Sequence, residues 1–109
     1  MKSYDLNEKI KFNPDRPVKK HFVNSKGFHA AIICLKIGVE IKPHPEDYAV
    51  LFTVLKGSGV FTGNEGSKLL KVNECFYLKK NELRGIKAEE DLVVLGIQDR
   101  GKNGEGGCC

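Results

Sequence analysis

The apolar residues of this chain come in short runs, and turn residues interrupt every one of them. Val18–Val23 meets Asn24-Ser25-Lys26-Gly27, and FHAAIICLKI at 28–37 meets Gly38. AVLFTVLK at 49–56 ends on Gly57-Ser58-Gly59, and Val60-Phe61-Thr62 on Gly63-Asn64-Glu65-Gly66. Further runs follow at Ser67–Val72, Cys75–Leu78, Leu83–Ala88 and Leu92–Gln98. Such runs are too short for ordinary helices and rich in β-branched residues, so they are read as strands. Regular spacing with turns between them predicts an all-β sandwich or barrel, a double-sheet jelly roll among the choices. Gly63-Asn64-Glu65-Gly66 is a hairpin signal. Val39–Lys42 is extended, and Pro43 and Pro45 send it to a sheet edge or a bulge, because proline has no ladder donor.

The 109 residues suffice for one domain. There is no tryptophan, so the core rests mainly on Val, Ile and Leu. Residues 1–17 are polar and end on Pro14 and Pro17; they are read as an arm lying partly against a domain at 18–98. Residues 99–109, DRGKNGEGGCC, are read as a flexible tail. The net charge of +4 is scattered as single lysines beside apolar residues, the pattern of solvent faces and blocked edges. No basic stripe or docking element marks a nucleic-acid partner. No run is long enough to span a bilayer, and the first residues lack the apolar stretch of a signal peptide. The expected location is cytoplasmic. Cys34 and Cys75, inside strand-like runs, are read as small buried hydrophobes in a reducing compartment. Tyr77, like Cys75, is assigned to the core or to an interface. His29 is read as a core histidine and His21 as a surface one.

Residues 38–59, GVEIKPHPEDYAVLFTVLKGSG, resemble the first motif of the cupin superfamily: a glycine, five residues, His-x-His, a few residues, a Glu, six residues and a glycine. Gly38, His44 and Gly57 fall in register; Glu46 stands at the second His position and Val50 at the Glu position. Residues 73–88, NECFYLKKNELRGIKA, resemble the second motif, with Asn73-Glu74 at its turn and Arg84 at its His. The resemblance spans residues 27–98 and implies a double-stranded β-helix, the jelly-roll barrel of cupins. It also implies dimerisation through a sheet face or a swapped N-terminal strand. The long apolar runs AIICL and LVVLGIQ agree with burial on both faces.

The departures carry chemical meaning. In the family, three His and a Glu hold a divalent metal. Here valine has no lone pair, and arginine is a permanent cation with donors only. His44 and Glu46 remain as candidate ligands, two where a catalytic site needs at least three. No cofactor is therefore expected, with a divalent Fe, Mn, Ni or Zn at His44 and Glu46 as the alternative. Period-2 alternation puts Val50, Phe52, Val54 and Ile86 around an apolar pocket whose polar groups are His44, Glu46 and Arg84, with Tyr48 beside them. Arg84 would either pair with Glu46 or anchor a carboxylate or phosphate. The leading reading is a metal-independent domain binding a small anionic metabolite. The second is a cupin-type enzyme: an isomerase or lyase using His44 and Glu46 for proton transfer, or a dioxygenase with a reduced metal site. The third is a structural or subunit-interaction protein with a filled interior. The ending Gly-Gly-Cys-Cys resembles a prenylation signal of small GTPases, but no P-loop accompanies it. Cys108 and Cys109 alone offer two thiolates for a soft metal, short of a four-ligand zinc site.

Overall fold

The computed structural model describes residues 1–99; the expected tail with Cys108 and Cys109 lies outside them from residue 100 on. Nine strands follow one another: β1 (Val18–Asn24), β2 (Phe28–Leu35), β3 (Glu40–Pro45), β4 (Val50–Lys56), β5 (Ser58–Gly63), β6 (Gly66–Lys71), β7 (Cys75–Leu78), β8 (Leu83–Ala88) and β9 (Leu92–Asp99). They form two antiparallel sheets, β1-β2-β9-β4-β7 and β3-β8-β5-β6. The fold is thus the expected two-sheet all-β barrel. Asn64-Glu65 closes the β5–β6 hairpin between paired Gly63 and Gly66. No helix among the described residues is long and apolar enough to cross a membrane.

Alternation divides each strand between two environments. On β2, Ile33 and Leu35 point inward; on β9, Leu92 and Val94; on β4, Val50, Phe52 and Val54. With Tyr48, Phe61, Leu70, Leu78, Ile86 and Ala88 they make one continuous core. The opposite face of β2 and β9 carries Ile32, Cys34 and Val93, which are also buried. Their cover is this chain's own arm: Leu6, Ile10 and Phe12 pack there with Val18, Phe22, Leu55 and Leu95. A single 3-10 turn, Leu6–Lys9, shapes the arm, and Asp5 caps it by accepting the Asn7 N–H at 3.0 Å. The two-faced burial of AIICL therefore has a source within one chain.

Each sheet edge has a feature that discourages strand addition. β1 carries Lys19 and Lys20, β6 carries Lys68 and Lys71, β3 contains Pro43 and Pro45, and β7 has four residues.

One reading of a side chain needs correction. Cys75 is exposed, because alternation on the edge strand β7 turns Phe76 and Leu78 inward and Cys75 and Tyr77 outward. Tyr77, 62% exposed, lies outside the core, which leaves the interface alternative of its reading. Cys34 is buried as expected, and burial raises its thiol pKa. Phe12→Ala should cost about 1–2 kcal/mol, the worth of a half-buried aromatic. It should also speed alkylation of Cys34 while leaving Cys75, which reacts first in both proteins, unchanged. Peptide mass spectrometry after a timed iodoacetamide pulse checks this, and equal Cys34 rates would show that the arm is not its cover.

Candidate functional site

The site is set by a bulge. β3 pairs with β8 at Ile41↔Ile86 and then at His44↔Arg84, so one extra residue is accommodated on β3 around Lys42-Pro43. Without it, Ile41 and His44, three apart, would face opposite ways; with it, both share the face of Ile86 and Arg84. Gly85 makes the bulge possible. A Cβ there would stand 2.8 Å from the Pro43 ring, closer than side chains approach. The glycines framing the first motif, Gly38 and Gly57, both have positive φ, +84° and +77°.

His44 and Glu46 meet as alternation requires, with Nε2 and Oε2 3.1 Å apart and both side chains partly exposed. The Nδ1 of His44 lies 2.9 Å from the Lys42 carbonyl oxygen. Nε2 thus faces the Glu46 carboxylate and Nδ1 the Lys42 carbonyl. Glu46 is engaged by His44, so the alternative pairing of Arg84 with Glu46 is not formed.

Arg84 is 1% exposed. Its Nε donates to the Glu82 carbonyl at 3.2 Å, and its Nη2 to the carbonyls of Lys79 and Glu82 at 3.0 and 3.1 Å. The guanidinium carbon lies 5.0 Å from the centre of the Tyr48 ring. Nη1 is buried without a hydrogen-bond partner, and among the described residues no carboxylate lies within ion-pair distance of Arg84. Carbonyl dipoles and a π face offset part of the cost of burying this charge. Two loops cover it, 46–49 and 79–82, joined where the Asn81 N–H donates to the Glu46 carbonyl at 2.7 Å.

Val50 and Phe52, each 2% exposed, and Tyr48, fully buried, stand in the packed core. Phe52 reaches toward Gly96, where an added Cβ would lie 3.3 Å from its ring. The aliphatic Val50 and the cation at 84, standing at two positions of the family's ligand set, do not fit a divalent metal. No group of three or more His, Cys, Asp or Glu among the described residues is placed to hold one.

Two further polar side chains share this interior. His29 and Gln98 are paired across β2 and β9, Gln98 is paired with Val50, and Val50 with Leu78. These four residues form one inward row across the sheet. With Arg84, His29 and Gln98 are the buried polar or charged side chains of the described residues. All three gather at the end of the barrel bounded by Leu78 and Lys79. Period-2 counting along LVVLGIQ does place Gln98 inward; the pairing of β9 between β2 and β4 was needed to set it beside Val50. His21, on β1, brings its ring to 5.5 Å from His29.

No protein-family model matches the chain, and no curated protein does. Solved structures do. An RmlC-like cupin from Desulfovibrio desulfuricans superposes with a TM-score of 0.83 at 24% identity, over 91% of this chain and 96% of that one. The chain has the cupin fold. A conserved protein with a double-stranded β-helix domain from Klebsiella pneumoniae gives 0.84 at 16% identity, over 94% and 92% of the two chains. KdgF from a Halomonas species gives 0.80 at 16%, over 94% and 97%. At these identities the likeness is one of cupin architecture.

Burial, then the charges of Lys19 and His29, lower the pKa of His21 from 6.5. The folded protein therefore takes this proton less readily than the unfolded chain. Stability is full above pH 6.5 and falls as the pH drops through the lower folded value. Urea midpoints at pH 7.5 and 5.5 should differ in the wild type and converge in His21→Gln; an unchanged difference would assign the slope to another group.

Proposed function

We propose that this cupin domain binds a small anion, a carboxylate or phosphate, at the Arg84 end of its barrel without a metal. The observation that carries the reading is the buried guanidinium: one nitrogen lacks an acceptor, and no carboxylate pairs with the charge among the described residues. A bidentate acid would accept from Nη1 in a setting that strengthens charge-assisted bonds. His44 and Glu46 stand at the rim as further polar contacts, and Tyr48, Val50 and Phe52 form the wall and floor. Entry requires loops 46–49 and 79–82 to part. We place the protein in the cytoplasm, where the free thiols of Cys34 and Cys75 stay reduced.

In a thermal-shift titration, acetate, butyrate or phosphate should raise the midpoint, by about 1.4 kcal/mol of stabilisation at ten times Kd. Arg84→Met keeps the length of the side chain without its charge. It should stay within about 2 kcal/mol of wild-type stability, since a buried unpaired charge costs much of what its hydrogen bonds return. It should also lose the shift. Stabilisation by an anion that survives Arg84→Met would overturn the reading.

A second reading, a subunit-interaction role with a filled interior, is favoured by the packing of Val50, Phe52, Val54 and Ile86 in the core. For either role we propose a homodimer. Val23, Ala30, Ile97, Leu51 and Tyr77 form one outward row by register. Phe28, Leu51, Tyr77 and Ile97 are 38–62% exposed beside the region that the arm covers. Contiguous apolar surface of this kind favours a partner, and blocked edges leave the face as the place for one. Sedimentation should give a dimer for the wild type and a monomer for Leu51→Asp with Tyr77→Asp; a wild-type monomer, or a dimer that survives the charges, would refute this face.

A further inference from the structure

We propose a second binding site, apart from Arg84, in the cleft where the two sheets part between β6 and β7. It takes a free α-amino acid with an apolar side chain, the ammonium group on Glu82 and the carboxylate on Lys68.

β6 and β7 are end strands of their sheets, and no ladder joins them. A cleft of about 350 Å³ opens there, within the size range of small-molecule sites. Lys68 pairs with Phe61, Phe76 with Phe52 and Leu78 with Val50. Each shares the face of a core residue, so all three side chains take the inward side of their strands, and all three line the cleft. One stretch of its wall is bare backbone, where Gly63 pairs with Gly66. A Cβ on Gly63 would stand 3.1 Å from Leu78 Cδ2, 3.3 Å from Glu82 Oε2 and 3.7 Å from Phe76 Cζ. Three side-chain ends thus converge on a space that a side chain at position 63 would fill.

β6 breaks its alternation at this point. Leu70 points inward and is buried, yet Lys68 on the same face is charged, and Leu69 points outward, 47% exposed. Lys71, on the outer face, already guards the edge. A lysine set inward beside an outward leucine departs from the pattern that packing selects, and such departures are expected at functional sites.

Glu82 supplies the opposite charge in a fixed position. Its Oε1 accepts the Lys79 N–H at 2.9 Å, and Oε2 is the atom above Gly63. The Glu82 carbonyl accepts from Arg84, which does not line the cleft, so the two sites adjoin without sharing a side chain. Beneath, the Phe76 and Phe61 rings lie 5.8 Å apart and those of Phe61 and Phe52 5.9 Å, which ties the apolar floor to the core. Lys79 and Glu65 also line the cleft, so its charges balance. None of these four charges has an ion-pair partner among the described residues. Balanced, unpaired charges over an apolar floor match a zwitterion with an apolar side chain. A plain acid would leave Glu82 unmatched, and a plain amine would leave Lys68 so.

The test is an NMR titration followed at the backbone amides of Gly63, Gly66 and Lys68, which reads this cleft rather than the Arg84 site. The probes are L-leucine, 4-methylpentanoate, which lacks only its ammonium group, and 3-methylbutylamine, which lacks only its carboxylate. Wild type should bind leucine saturably and each analogue at least about ten-fold more weakly, the worth of one charge-assisted contact. Glu82→Gln keeps an oxygen for the Lys79 N–H and should weaken leucine binding about ten-fold, as should Lys68→Met. Lys71→Met, on the outer face, should leave it unchanged. Failure of leucine to saturate these signals would overturn the site. So would an analogue that binds as well as leucine, or leucine binding that survives Glu82→Gln or Lys68→Met.

Discussion

The ladder between β2 and β9 is the interaction on which the rest depends. Eight residues of each strand pair without a break, from Phe28↔Asp99 to Leu35↔Leu92. Partners in the ladder lie 57 to 71 residues apart in sequence, so the chain must close more than half its length to form it, and the entropic cost of closure is met by burial on both faces. Inward, the ladder supplies the core; outward, it supplies the surface on which the arm rests. β1 is added to one side and β4 to the other, and β7 follows β4. A slip of one residue would exchange the two faces and drive Gln98 and His29 outward.

Polarity within the barrel is as ordered as packing. Three buried polar side chains occupy one end, and aliphatic residues fill the other. An unsatisfied guanidinium nitrogen under two loops is costly where the net stability of a folded domain is typically only about 5–15 kcal/mol. Costs of this kind concentrate where a structure has been shaped for a task besides folding. Pro43 and Gly85 belong to the same arrangement, since their close fit turns His44 and Arg84 to one face.

Much of this was legible in the residues. Short runs, glycines and the Asn-Glu turns located the strands, and the spacing from Gly38 to Gly57 identified the cupin motif. Strand bounds at Cys75–Leu78 and Leu83–Ala88 agree with the sequence reading. Three features were not legible, each because it depends on pairing distant in sequence. Cys75 looked buried because its run is apolar; its outward direction follows from the placement of β7 at an edge. Gln98 closes a strand and carried no motif, and its position beside Val50 required the order of strands. The arm's role was hidden because Leu6, Ile10 and Phe12 are spread among charges, with no periodicity to mark a packed face.

The closed edges bear on what this molecule can become in a crowded solution. Strand addition is an open-ended mode of assembly, because each added chain presents a new free edge and growth continues into fibres. Prolines, lysines and a four-residue border strand withhold that route on all four sides. Self-association by sheet faces ends when the two faces meet, so the species it yields is finite and remains dispersed.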